Sequence, residues 1–229
     1  MASVRKNQAR LSQREWSRFI DAINAIQARG ASRPNYRNFV QVHIRAMTGP
    51  AGHRWRVHSM PGMLGRNFLA WHRLYLIEFE RRLQEVDPEV TIPYWNWIAN
   101  PRLPAPINRP ALLRRWGVRR QWQPDFLPTR ADVRAASGRK KFAPFQRLLE
   151  QVHNNVHLAV GGEMATAESP ADPIFWLHHA NVDRLWALWQ ERNPRGLPRN
   201  GNERLQPPPL FELTVSRVLD TRRLGYRYA

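Results

Sequence analysis

The stretch DPIFWLHHANVDRLWALW, residues 172–189, decides how the rest of the chain is read. It predicts a helix from about Pro173 to Glu191, with Asp172 as N-cap, Pro173 as first residue and Pro194 just beyond its end. Neighbouring helical residues point about 100° apart, so His178 and His179 cannot both face one ion well. Asp183, one turn after His179, could orient a ligand network or pair with a nearby arginine.

Working outward, HNNVH at 153–157 lies on a predicted helix from about Pro144 to Leu158, stopped by Gly161-Gly162. Histidines at i and i+4 share a helical face, so two imidazoles can chelate one ion there. Such a pair alone is weak, because it also occurs in helices that bind no metal. FLAWHRLYL at 68–76 sits in a long apolar helix predicted over Asn67–Val86, where a buried His72 needs a partner. Two more helices precede it. One spans Ser12–Ala28, opened by a Ser12/Glu15 capping box and stopped by Gly30. The other starts near Pro34, carries Phe39, Val40, His43 and Ile44, and ends by Gly49. Between Thr91 and Lys141 the chain is rich in proline and arginine and reads as a long loop with a short helix near Ala111–Trp116. The tail from Pro207 offers only short strand-like pieces.

The eight histidines form two groups, four within residues 43–72 and four within 153–179. Each group can supply three imidazoles from facing helices, the way bundles build metal sites. Cysteine is absent, which removes disulfides and thiolate ligands and leaves histidine or carboxylate for any transition metal.

At 229 residues and 42% apolar composition, the expectation is one domain over 1–229 with a sizeable core. No run of 18 uncharged apolar residues marks a membrane span, and the basic N-terminus lacks the apolar region of a signal peptide. The expected location is cytoplasmic, or outside the cell by export with a partner. A net charge of +18, with all but three of the 36 basic residues arginine, would attract polyanions. The charges are spread along the chain, so a solvated cationic surface is the expectation and a nucleic-acid role is not.

In FLAWHRLYLIEFE (68–80), IPYWNW (92–97), HNNVHLAVGG (153–162), DPIFWLHHANVDRLWALW (172–189) and LGYRY (224–228), the chain resembles the tyrosinase family of type-3 copper proteins. That family also includes catechol oxidases, o-aminophenol oxidases and haemocyanins. The resemblance implies a mainly α fold: a four-helix bundle carrying a dinuclear copper site, with long loops and a few short strands. It implies His43 and His72 as ligands of the first copper, and His153, His157 and His179 as ligands of the second, with His178 beside the site. The remaining ligand of the first copper departs from the pattern, because Met63 stands where the family usually has histidine. His58 and His53 are the candidates, and His58 is preferred because it is closer in sequence to the helix it must face. The lack of cysteine also removes the cysteine–histidine thioether of many eukaryotic members and points to a bacterial-type enzyme. No C-terminal shielding domain is expected after LGYRY.

The implied chemistry uses dioxygen to hydroxylate monophenols at the ortho position and to oxidise o-diphenols to o-quinones. Glu150 and Asn154 match, by position, residues proposed in the family to hold a basic water that takes the phenol's proton. The implied partners are a phenolic or catecholic small molecule, dioxygen and a small copper-delivery helper protein. Two readings stay open beside this one: an oxidase of catechols or o-aminophenols without monophenolase activity, and a haemocyanin-like oxygen carrier.

Overall fold

The computed structural model describes residues 3–28, 35–208 and 210–229. Eight α-helices form most of it: α1 (Gln13–Gln27), α2 (Tyr36–Met47), α3 (Gly49–Trp55), α4 (Phe68–Gln84), α5 (Pro110–Trp116), α6 (Arg130–Ser137), α7 (Phe142–Val160) and α8 (Ile174–Arg192). Gly30 and Pro34, which read as a helix stop and a helix start, lie outside the described residues.

Local chemistry accounts for the helix ends. Ser12 caps α1 through a reciprocal box with Glu15, as the sequence predicts, and Trp16, Phe19, Ile20, Ile23 and Ile26 bury its apolar face. α8 starts one residue later than expected. Pro173 takes the N-cap position, while the Asp172 carboxylate accepts the Ile174 N–H at 3.0 Å and binds Arg120 through two 2.7 Å bonds. Two helices are not expected from the sequence. α3 begins at Gly49, which reads as a helix end, and α6 lies in the expected loop, where Thr129 and Asp132 form a capping box.

α4 packs along α8, and α7 lies against both, while α1 bridges α2 and α4. The four helices that carry clustered histidines, α2, α4, α7 and α8, meet around one aromatic interior. Phe79 stacks on Trp176 at 3.6 Å, Tyr36 and Phe39 meet Phe79 edge-on, and Phe145 stacks on Trp189 at 4.3 Å. Two buried polar tips find partners here: Trp176 donates to the Tyr36 hydroxyl at 3.0 Å and Tyr75 to the Phe39 carbonyl at 2.7 Å.

Two three-residue strands, β1 (Ser3–Arg5) and β2 (Tyr226–Tyr228), pair in parallel, Ser3 opposite Tyr226 and Arg5 opposite Tyr228. They bring a cation and two phenols to the bundle's end. Arg73 on α4 donates to Asp183 on α8 at 2.6 Å, and the Tyr226 and Tyr228 hydroxyls donate to the other Asp183 oxygen at 2.6 Å each. Arg5 binds Glu80 on α4 at 3.0 Å and faces Asp183 at 3.6 Å. Asp183 therefore pairs with arginine, one of the two roles its spacing allows. Among the described residues no helix is long and apolar enough to cross a membrane.

Candidate metal centre

Seven of the eight histidines converge where α2, α4, α7 and α8 meet, forming two adjacent groups. His43, His58 and His72 offer ring nitrogens that all lie within 4.8 Å of one another, and so do His153, His157, His178 and His179. The His72 and His179 rings, one from each group, stack at 4.2 Å, and Phe175 lies against both His43 and His179. His58 belongs to the first group. His53 is exposed on α3 and belongs to neither, so of the two only His58 lies in the cluster.

The hydrogen-bond partners fix which nitrogen of each ring keeps a lone pair. A backbone carbonyl can only accept, so a ring nitrogen bound to one must carry the proton. His43 Nδ1 donates to the Ala167 carbonyl at 2.8 Å, His72 Nδ1 to Phe68 at 2.9 Å, and His157 Nδ1 to Met164 at 2.6 Å. His153 Nδ1 donates to the Asn154 side-chain oxygen at 3.0 Å. All four rings then present a bare Nε2 to the interior.

His178 is the reverse case. The Trp97 indole, a donor only, gives its N–H to His178 Nδ1 at 3.2 Å. The proton of neutral His178 is thereby placed on Nε2, leaving no lone pair for an ion. Proximity alone puts His178 in the cluster, and its tautomer takes it out of the ligand set.

These nitrogens fit a metal. Nε2 of His43, His58 and His72 is buried without a hydrogen-bond partner. In the second group, His179 Nε2 lies 3.2 Å from His153 Nε2 and 3.4 Å from His157 Nε2. Burial drives every one of these imidazoles towards the neutral form, His43 down to about 3 and His157 to about 4, with the others well below the usual histidine value. Neutral rings with lone pairs aimed at one another repel, and a cation between them removes the repulsion. Two sets of three imidazole donors suit copper, as they also suit zinc, iron or nickel.

The segment after α7 orients two of the rings. Gly161 and Gly162 both have positive φ, and a Cβ on Gly162 would stand 1.8 Å from the Arg119 carbonyl. Only glycine lets the chain turn there and bring the Met164 carbonyl back over His157. Trp97 closes the IPYWNW motif, but its role as a ring partner, like those of the Met164 and Ala167 carbonyls, is not readable from the sequence, because nothing local marks a carbonyl or an indole as the partner of a distant ring.

A cavity of about 200 Å³ opens beside the histidines, lined by His43, His58, His153 and His157 and walled by Met47, Leu158 and Met164. Asn154 borders it. Glu150 is not among its lining residues; together with Asn154 it borders a neighbouring hollow beside Ser59. Its carboxylate turns to the loop after α3, accepting the Ser59 N–H at 2.7 Å and the Ser59 hydroxyl at 2.6 Å.

Known proteins match this chain in sequence and fold. The profile of the common central domain of tyrosinase matches residues 33–114 and 119–192. The tyrosinase of Streptomyces glaucescens is 37% identical over 262 residues, covering 90% of this chain and 92% of its own. The tyrosinase of Streptomyces antibioticus is 35% identical over 277 residues, covering 96% and 97%. Among solved structures, a deoxygenated hemocyanin from Rapana thomasiana superposes with a TM-score of 0.77 at 25% identity, over 99% of this chain and 69% of that one. By domain profile, by relatives matched along nearly their whole length and by fold, the chain belongs to the tyrosinase family.

Proposed function

We propose that this chain is a dicopper oxidase that hydroxylates small monophenols at the ortho position and oxidises o-diphenols to o-quinones. His43, His58 and His72 would hold one copper, and His153, His157 and His179 the other. Bound there, the two ions would bind dioxygen and exchange two electrons with the substrate.

The rest of the work falls to the chain's own groups. Met47, Leu158 and Met164 give the cavity apolar walls against which a phenol ring can lie, and about 200 Å³ suits one small ring. Phe175, fully buried between the two histidine groups, keeps water out from beneath. The Asn154 side-chain oxygen fixes the His153 tautomer, and its amide N–H groups remain at the cavity edge to orient a phenolic oxygen or a water. A phenol with pKa near 10 must lose its proton to be oxidised at neutral pH, so a water held there is the proposed acceptor.

The observation that carries an oxidase over an oxygen carrier is access. The cavity rim includes exposed Asn154, Ala165 and Thr166, and Leu158 is 47% exposed, so a ring as large as phenol can enter from solvent. A carrier needs entry only for dioxygen. Copper reconstitution, metal counting and parallel assays on tyrosine, a catechol and an o-aminophenol test this. The expected result is two ions per chain with colour from both tyrosine and catechol. Two ions without quinone from catechol would point to the carrier, and one ion per chain would end the dicopper reading.

A further inference from the structure

The loop carrying His58, residues 56–67, has neither regular structure of its own nor a thioether to hold its ligand. Arg66 and Asn67 each donate to Glu203 at 2.8 Å, and the loop is fastened at three further places. Met60 and Met63 exchange backbone hydrogen bonds of 2.9 Å across Pro61-Gly62, which closes its tip. Asn67 closes its base, donating from its backbone to the Arg56 carbonyl at 3.0 Å and from its side chain to Trp55 at 2.8 Å. The third fastening comes from α7. Glu150 accepts both the backbone N–H and the hydroxyl of Ser59, the residue next to His58, and the same hydroxyl accepts the Gly65 N–H at 3.0 Å. One turn earlier, Gln146 donates to the Gly65 carbonyl at 3.1 Å and accepts the Leu69 N–H at 3.3 Å. Gly65 lies so close beneath the loop that a Cβ there would stand 2.5 Å from the His58 carbonyl carbon and the Ser59 nitrogen.

Gln146, Glu150, His153 and His157 succeed one another at four, three and four residues along α7, which puts them on one face. We propose that Glu150, seconded by Gln146, is a positioning residue for the first copper site. It pins the His58 loop to the helix that carries two ligands of the second site. Burial raises the pKa of the Glu150 carboxyl, while the two bonds from Ser59 act the other way and favour the charged acceptor. With this bond gone, only Gln146, through Gly65, would tie the loop to α7, and the hold on His58 beside His43 and His72 would loosen. The inference rests on the dicopper reading and assigns Glu150 no part in proton transfer.

The test uses the full-length chain as wild type, Glu150→Ala, Glu150→Gln and Ser59→Ala. Amide hydrogen exchange at Ser59 and Gly65 is read before and after copper loading, and copper per chain is read under a graded chelator. Removing a group that orients a ligand typically costs about 10–100-fold in metal affinity. The expected result is faster exchange at Ser59 and Gly65 in Glu150→Ala with α8 amides unchanged. One of the two ions should also become about 10–100-fold easier to remove, with partial recovery in Glu150→Gln, whose amide oxygen still accepts one bond. Ser59→Ala keeps the backbone bond and should fall between, so it carries the test if Glu150→Ala does not fold. Unchanged exchange at Ser59 and Gly65, or equal release of both ions, overturns the proposal. So does loss of tyrosine hydroxylation alone with both ions held as in wild type, because that outcome belongs to a proton-handling Glu150. A wild type that loads one ion would count against the dicopper reading instead, and the exchange measurement stands apart from it.

Discussion

His178 and His179 are adjacent and both essentially buried, yet their surroundings assign them opposite duties. His179 aims Nε2 at His153 and His157, whereas His178 spends its only lone pair on the Trp97 indole. His179→Ala should therefore lose one of two coppers, and His178→Phe should keep both, as read by metal counting after reconstitution. His178→Phe should still lower stability by about 1–3 kcal/mol, because the Trp97 N–H would be buried without a partner. Loss of an ion in His178→Phe would contradict the tautomer argument. Five members of the site, His43, His72, His153, His157 and His179, are picked out by the resemblance to the tyrosinase family; helical spacing alone shows only that His153 and His157 share a face and that His178 and His179 do not. His58 cannot be told from His53 in that way. A loop has no period, and the long-range contacts that fasten it, among them those of Ser59 and Gly65 with α7, leave no local mark in the sequence.

Elements of this fold are held together by few but fully buried charges, and the bond between α4 and α8 shows how. Burial alone would raise the Asp183 pKa, but Arg73, then Arg5, and the Tyr226 and Tyr228 hydroxyls outweigh it and hold the carboxyl below the usual aspartate value. A carboxylate whose pKa is depressed by folding stabilises the protein above its unfolded value, near 3.9, and that stabilisation is lost as pH falls through the folded value. Asp183→Asn should cost about 3–5 kcal/mol at neutral pH, since it leaves the buried Arg73 charge without its anionic partner, while Arg5 keeps Glu80. The variant's deficit should shrink below about pH 4, as urea unfolding across about pH 2–7 would show; a deficit independent of pH would reject this account. At an exposed helix end the stakes are smaller, and Ser12→Ala should cost about 1 kcal/mol by thermal unfolding. The long helices are readable because their apolar period and caps are local. β1 and β2 are not, since each has three residues and gains its partner from the opposite end of the chain. α6 is hidden for a related reason: only Ala136 of its eight residues is buried, so its Thr129/Asp132 cap has no apolar stripe beside it.

Over the whole molecule, a net charge of +18 sets the long-range field. Immediately beside the cavity the balance is different, because Glu163 and Glu168 line the adjoining groove with Arg119, and Glu163 pairs with that arginine at 3.5 Å. Two local acids oppose an anionic substrate at contact, while the far larger positive field acts over the whole approach. At low salt the field reaches well beyond the rim and should win, because steering of this kind can raise encounter rates by about tenfold or more. The Debye length is about 10 Å at about 0.1 M salt and about 3 Å at about 1 M, so the advantage should fade while the repulsion at contact survives. A catechol bearing a carboxylate should therefore show a kcat/KM several-fold higher at about 10 mM salt than at about 0.5 M, and a neutral catechol should change little. If both respond alike, the arginine-rich surface has no part in gathering substrate. If the anionic catechol is instead poorer at every salt, Glu163 and Glu168 govern selection, and their replacement by glutamine should relieve the penalty without altering turnover of the neutral ring.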